Sequence, residues 1–273
     1  MYCTSVVTTF KLFEGNRLLA SRTMKAPALA YVVAYIVLFS GGLVYGHWQL
    51  HGSLSPTQIA LSVFNAVNAW ICFCEIALYL HAQQIQRDQK GLHAKWGLGR
   101  LPPLSELFLF EWVPPSAILS TTFWSKMWST YAQLDPSYVE TSSFGFCVDV
   151  GNGFSTIVPS VLYSAAMTYP VLSPRWLGMI GLVMYYQELY GTLVYYFQYF
   201  YNGRPEAAKS SAAIVWGVVV PANALWVLLP LLGIWASGRL ILDDSFEVFS
   251  HADASSYPEM IIKSMLARLP TLS

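Results

Sequence analysis

Three carboxylates stand in apolar runs of this chain, where water cannot reach them to solvate their charge. Glu75 sits in Trp70-Ile-Cys-Phe-Cys-Glu75-Ile-Ala-Leu, Asp149 in Phe146-Cys-Val-Asp149-Val, and Glu188 in Tyr185-Tyr-Gln-Glu188-Leu-Tyr190. A charged side chain at the centre of a bilayer costs roughly 3 kcal/mol or more, so each needs a partner or a task. One reading is a structural hydrogen bond between helices. The other is acid–base chemistry, since a desolvated carboxyl keeps its proton to higher pH and can donate it near neutrality. A fourth run adds Asn223 and Trp226, which share a helix face at i, i+3. Three acids in three runs, beside an amide and aromatics, point to one functional cavity. Glu75 and Asp149 are the candidate catalytic pair. Asn223, Trp226, Glu188, Tyr190, Asn152 and Tyr195 are candidate substrate-binding residues, although Glu188 could instead pair with a nearby tyrosine hydroxyl. No metal-ligand spacing is present and no cofactor is expected.

The elements that must position these groups follow from run length. A hydrocarbon core of ~30 Å takes about 20 apolar residues in a helix, and five runs reach that length. They are Ala28 to His47, Gln58 to Gln83 behind Ser55-Pro56, Ser143 to Met167, Trp176 to Tyr201, and Ser211 to Leu242. The sequence therefore predicts an all-α membrane protein, a five-transmembrane-helix bundle, with Pro221 bending the fifth helix. Between helices two and three, Arg87 to Arg100 is polar and basic. Leu101 to Tyr138 mixes proline pairs with aromatics and reads as interfacial helices or a lid against the bundle mouth. His81 and His93 read as interfacial, and Glu106, Glu111, Asp135 and Glu140 as solvated or capping carboxylates. The chain divides into a polar segment 1–25, a helical domain 26–242 and a polar tail 243–273 with an amphipathic piece near Met260–Leu269.

Composition agrees with a lipid solvent. Charged residues make up 11% and hydrophobic residues 55% of the 273, against roughly 25% charged in a soluble domain. A formal net charge of +0 gives no reason to expect nucleic acid. The expected partners are a lipophilic small molecule and the bilayer, and a homodimer is compatible with the composition. Basic residues precede helix one (Lys11, Arg17, Arg22, Lys25) and follow helix two, which places the N-terminus in the cytosol and the C-terminus opposite. The N-terminal stretch does not read as a cleaved signal peptide; helix one is expected to direct the chain to the endoplasmic reticulum. Cys3, Cys72, Cys74 and Cys147 read as free thiols, three of them buried in packing roles.

One stretch carries a family likeness. Trp128-Ser-Thr-Tyr131-Ala-Gln-Leu-Asp135-Pro-Ser-Tyr138 resembles the segment before the third helix of emopamil-binding proteins, the sterol Δ8–Δ7 isomerases of the EXPERA superfamily. Asp149 follows where that family has a Glu. Tyr190-Gly191 looks like its fourth-helix Tyr-Gly pair, Asn223-Ala-Leu-Trp226 like its fifth-helix signature, and Glu75 falls where its second-helix Glu falls. There are departures. Ile71 replaces a family His four residues before the Glu, Asp149 is one methylene short, Val158-Pro159 stands one residue late for the family's Gly-Pro, and the linker from Arg87 to Phe123 is longer.

The resemblance implies protonation of an alkene, a cation held by a carboxylate and a Trp face, and loss of a different proton. Glu75 would be the acid, Asp149 the stabilising carboxylate or base, Trp226 the π-face, and Asn223 an orienting group. A second chemistry uses the same acids to open an epoxide in a lipophilic polyketide or terpenoid, giving hydrolysis or cyclisation; a strained ether demands less acidity, so the loss of the His matters less. A third reading is a non-catalytic sterol- or lipid-binding protein. A channel is poorer, because nothing rings a pore with acids at like depth.

Overall fold

The computed structural model describes residues 24–250. The expected segment 1–25, apart from Met24 and Lys25, lies outside them. So do Cys3, the basic cluster at Lys11, Arg17 and Arg22, and the amphipathic piece near Met260–Leu269.

Seven helices carry the architecture: α1 (Ala28–His51), α2 (Pro56–Leu80), α3 (Ala82–Trp96), α4 (Thr121–Tyr131), α5 (Phe144–Thr168), α6 (Pro174–Tyr201) and α7 (Ala212–Asp243). Local chemistry sets their ends. Pro27 precedes α1, and Gly52 closes it in the left-handed conformation at φ 66°, four residues beyond the expected end. Ser55 and Pro56 begin α2, proline sitting at the first helical position, where its missing N–H has no partner to lose. Ser143 and Ser173 cap α5 and α6 through their hydroxyls. The basic stretch after α2 is helical too: only His81 interrupts α2 and α3.

Three helices, α1, α2 and α7, are long and apolar enough to cross a membrane. α5 and α6, at 25 and 28 residues, have the length but not the hydropathy. The reason is their composition: Gly recurs along both, with Ser and Thr in α5 and Tyr in α6, and their inner faces carry the polar residues described below.

Among the described residues no helix spans the stretch from Leu101 to Tyr138. It is a chain of short 3-10 turns, one strand and α4. The strand β2 (Trp112–Val113) pairs antiparallel with β1 (Ala26–Pro27), pinning the linker to the start of α1. α4 then lies on α2: Trp124, Phe123 and Phe108 pack with Cys74 and Ala77, and the Trp128 indole donates to the Cys74 carbonyl at 2.5 Å. His81 reaches Thr121 at 2.9 Å, tying the α2–α3 break to the first turn of α4.

The tail expected from residue 243 begins with apolar anchors rather than polar chain. Phe249 is fully buried against Tyr163, and its carbonyl lies 3.1 Å from the His47 ring. Cys72 and Cys74 are buried free thiols, whereas Cys147 is exposed, so the reading of three buried cysteines is corrected on α5's outer face.

Helix α5 approaches α2 closely at Gly153. A Cβ there would stand 2.7 Å from the Glu75 Cβ and 2.9 Å from the Cys72 carbonyl oxygen. Small residues at such crossings let two backbones meet. Gly233 of α7 receives the Tyr185 ring of α6 in the same way. Gly153→Ala is therefore expected to lower stability by about 1–3 kcal/mol through overpacking. Gly151→Ala, with nothing within 4 Å of its added Cβ, is expected to leave stability unchanged or raise it by up to ~1 kcal/mol. Thermal unfolding of the two variants in one detergent checks the contrast; equal melting temperatures would remove the close approach from the account.

Candidate functional site

On α2 the polar residues Gln58, Ser62, Asn65, Asn68, Cys72 and Glu75 follow helical spacing, and all are buried. They form one inward stripe, with Glu75 at its end. On α5 the inward stripe is Asp149, Asn152, Thr156 and Ser160. The Gly153 contact sets these two stripes against each other, and Cys72 Sγ meets Thr156 Oγ1 at 3.1 Å.

Helix α7 brings the amide and the indole. Its residues Val215–Val219 form a π turn that ends two residues before Pro221, which lodges an extra residue in the turn that the proline ring would otherwise crowd. Side chains brace this turn: the Asn223 amide donates to the Val219 carbonyl at 2.9 Å, and the Tyr196 hydroxyl to Val220 at 2.5 Å. Asn223 and Trp226 then face inward one turn further on. α4 closes the remaining side with Met127, Trp128 and Tyr131, followed by Tyr138.

These elements enclose a cavity of about 200 Å³, open on one side. Its walls include Glu75, Asp149, Asn152, Asn223 and Trp226, with Tyr131, Tyr138 and Ile71. Two candidate acids from different helices, the amide and the indole thus share one space. Glu75 is 6% exposed, and among the described residues its Oε2 has no hydrogen-bond partner. The Tyr138 hydroxyl lies beside the Asp149 carboxyl. Asn152 accepts from Gln187 Nε2 at 2.9 Å, which leaves its own NH₂ as the donor. Ile71 gives the wall hydrocarbon only.

A directed hydrogen-bond chain runs out of the cavity behind α4. Asn223 Nδ2 donates to the Tyr131 hydroxyl at 2.9 Å, and Tyr195 donates to Asp135 Oδ2 at 3.0 Å. Tyr195 therefore accepts at its 3.3 Å contact with Tyr131, whose proton points to it. Asp135 is buried, not solvated: it caps the following turn by accepting from the Ser137 N–H at 2.9 Å. Burial pushes its carboxyl above the usual range, against the downward pull of the Ser137 and Tyr195 bonds.

Three of the expected substrate-binding residues stand elsewhere. Glu188 lies one layer behind the wall, 1% exposed, accepting from Asn68 at 2.6 Å. Tyr195 is buried behind Tyr131 and Tyr138. Tyr190 is 55% exposed on the outer face of α6, stacked on Tyr186, and does not line the cavity. Two residues beyond Glu188, it projects about 200° around the helix. Residues the sequence reading did not single out as lining include Met127, Thr192 and Ala222, and it passed over Asn68 altogether. The α2 spacing Asn65-x-x-Asn68-x-x-x-Cys72-x-x-Glu75 was the signal available for that amide. Among the described residues no three His, Cys, Asp or Glu side chains group as they would around a metal ion. No protein-family model and no curated protein matches the chain.

Asp135 yields a prediction with a definite sign. A carboxyl whose folded pKa is raised contributes most to stability below its unfolded value near ~3.9 and loses that contribution as pH rises through the folded one. Asp135→Asn removes the titration and keeps an acceptor for Ser137. Its melting temperature relative to wild type is expected to climb from pH 4 to pH 7. Asp135→Leu strands the Ser137 N–H and the Tyr195 hydroxyl and is expected to cost about 1–3 kcal/mol. A flat difference between Asp135→Asn and wild type across that range would refute the burial argument.

Proposed function

We propose that this chain is an integral membrane enzyme of five spanning helices, resident in the endoplasmic reticulum, which uses Glu75 and Asp149 for acid–base chemistry on a bulky lipophilic substrate. The observation that carries the reading is the shared cavity: two carboxyls from α2 and α5 face a space walled by Trp226, Asn223 and Tyr131. Buried carboxyls that served only to join helices would be expected to meet donors there, yet Glu75 Oε2 meets none among the described residues. For α5 and α6, the support for spanning is their length and outer faces bearing exposed Phe154, Val158, Val161, Val183, Leu193 and Phe197. The motif likeness to sterol isomerases supports a double-bond shift in a sterol-like or terpenoid compound. In that reaction a carboxyl gives its proton to one alkene carbon, the neighbouring carbon becomes cationic beside the indole, and a carboxylate removes a proton from the next carbon. The substrate gains and loses one proton, and nothing is oxidised.

One observation favours a second reading. Ile71 supplies no proton where the isomerases have a His, and the Tyr138 hydroxyl stands beside Asp149. One acid could protonate an epoxide oxygen while the other activates water or an internal hydroxyl, breaking a C–O bond and forming a new one.

Glu75→Gln and Asp149→Asn keep size and remove titration. Each is expected to lower turnover on the order of 10²-fold or more. Trp226→Ala lowers it further if a carbocation forms, with Trp226→Phe intermediate; an epoxide-opening enzyme depends on the acids and hardly on Trp226. The assay panel is a Δ8 sterol and a lipophilic terpenoid epoxide presented to membranes, together with rescue of a sterol-isomerase-deficient yeast. Full turnover in both amide variants, with unchanged melting temperature, would leave the acids a structural role only.

A further inference from the structure

Behind the cavity, one amide joins four helices. Asn68 of α2 is 2% exposed. Its Oδ1 accepts from the Trp226 indole of α7 at 2.8 Å, and its Nδ2 donates to Glu188 Oε1 of α6 at 2.6 Å and to Ser160 Oγ of α5 at 2.9 Å. The amide's orientation is not arbitrary. An indole N–H can only donate, so it must face the amide oxygen, which turns the NH₂ toward Glu188 and Ser160. Phe64 packs its edge against the same indole at 5.9 Å.

We propose that Asn68 and Glu188 are positioning residues for Trp226, holding the indole so that it offers the cavity only carbon. This rests on the acid–base reading of that cavity. With Nε1–H committed to Asn68, Trp226 cannot donate a hydrogen bond to a bound molecule or to Asp149. What remains for the substrate is the π-system, the part of the ring that attracts a cation. The chain Glu188–Asn68–Trp226 also aligns its dipoles, so the acceptor pulling on the indole N–H is itself polarised. Without Asn68 the ring would be free to turn about χ2 and bring its N–H into the cavity. Glu188, the third acid buried in an apolar run, thus acts on the cavity from outside it.

The test uses the full chain in detergent with ¹⁵N-labelled indoles, the Trp226 resonance being assigned by its loss in Trp226→Phe. The probes are N,N-dimethyldodecylammonium and its uncharged carbon isostere. Asn68→Leu is expected to move the Trp226 N–H resonance toward that of an unbonded indole. It should also cut the preference for the ammonium over the isostere by roughly 3- to 10-fold, the range of a partly desolvated cation–π contact. Glu188→Gln, which still accepts from Asn68, should move the resonance less. In a Trp226→Phe background Asn68→Leu should have no further effect on the preference, because the two act through one ring. Should Asn68→Leu not fold, Asn68→Ser is smaller and too short to reach the indole, and carries the same expectation. A Trp226 resonance that stays in place in the Asn68 variant overturns the proposal. So does a preference that falls equally with and without Trp226, which would mark general loosening. Equal binding of the two probes by wild type counts instead against the acid–base reading, and the resonance still judges the positioning.

Discussion

The contact between Gly153 and the backbone around Glu75 governs where the acids meet. A side chain at residue 153 would collide with the Glu75 Cβ and the Cys72 carbonyl, so α5 or α2 would have to shift to admit it. Asp149 lies one turn before that contact and Asn152 immediately before it, so both are carried to Glu75 by the same close approach. α4 can roof it because the Trp128 indole reaches the Cys74 carbonyl, the residue next to Glu75. The roof and the acid are thereby referenced to one point on α2.

Most polar groups buried around this point are paired, as a low-dielectric interior requires. Asn65 and Tyr185 exchange two hydrogen bonds, at 3.0 and 3.1 Å, and Tyr163 meets Ser237 at 3.1 Å. Such pairs join α2, α5, α6 and α7 where apolar packing alone gives little direction. Among the described residues Glu75 Oε2 inside the cavity and Glu188 Oε2 one layer behind depart from this pattern, as do Trp70 Nε1, Tyr199 Oη and other atoms away from the cavity; the two acids are the ones whose unpaired atom belongs to a carboxyl. Locally inconsistent groups of this kind concentrate where a protein does something other than fold.

Much of the site was legible because its chemistry conflicts with its surroundings. Glu75 and Asp149 are conspicuous in apolar runs, and Asn223 with Trp226 reads directly as one face of a helix. The Trp128, Tyr131 and Tyr138 spacing likewise marked a segment whose aromatics reach the cavity. Depth was not legible. A helix period tells which residues share a face, not whether that face meets a void or another side chain, so Glu188 and Tyr195 were read as walls when they stand behind walls. Tyr190 was misplaced for a simpler reason: it cannot face the way Glu188 does from two residues away. Asp135 reads as a solvated or capping carboxylate; it does cap the turn at Ser137, but its burial depends on tertiary packing that brings Tyr195 over it. In the fold, run length located all five long helices within a few residues. Whether α5 and α6 are apolar enough to span is a different property, and their polar inner stripes lower it.

Those stripes are also what a lipid-solvated bundle would require. With hydrocarbon outside, apolar side chains give little preference for inside over outside, and helix association depends on close backbone approach and interhelical hydrogen bonds. α5 and α6 have both, at Gly153, Thr156 and Ser160 and at Glu188 and Tyr185, while their outer faces carry Phe154, Val158, Val183 and Phe197. The polar residues that lower the hydropathy of these helices are therefore the ones that assemble them.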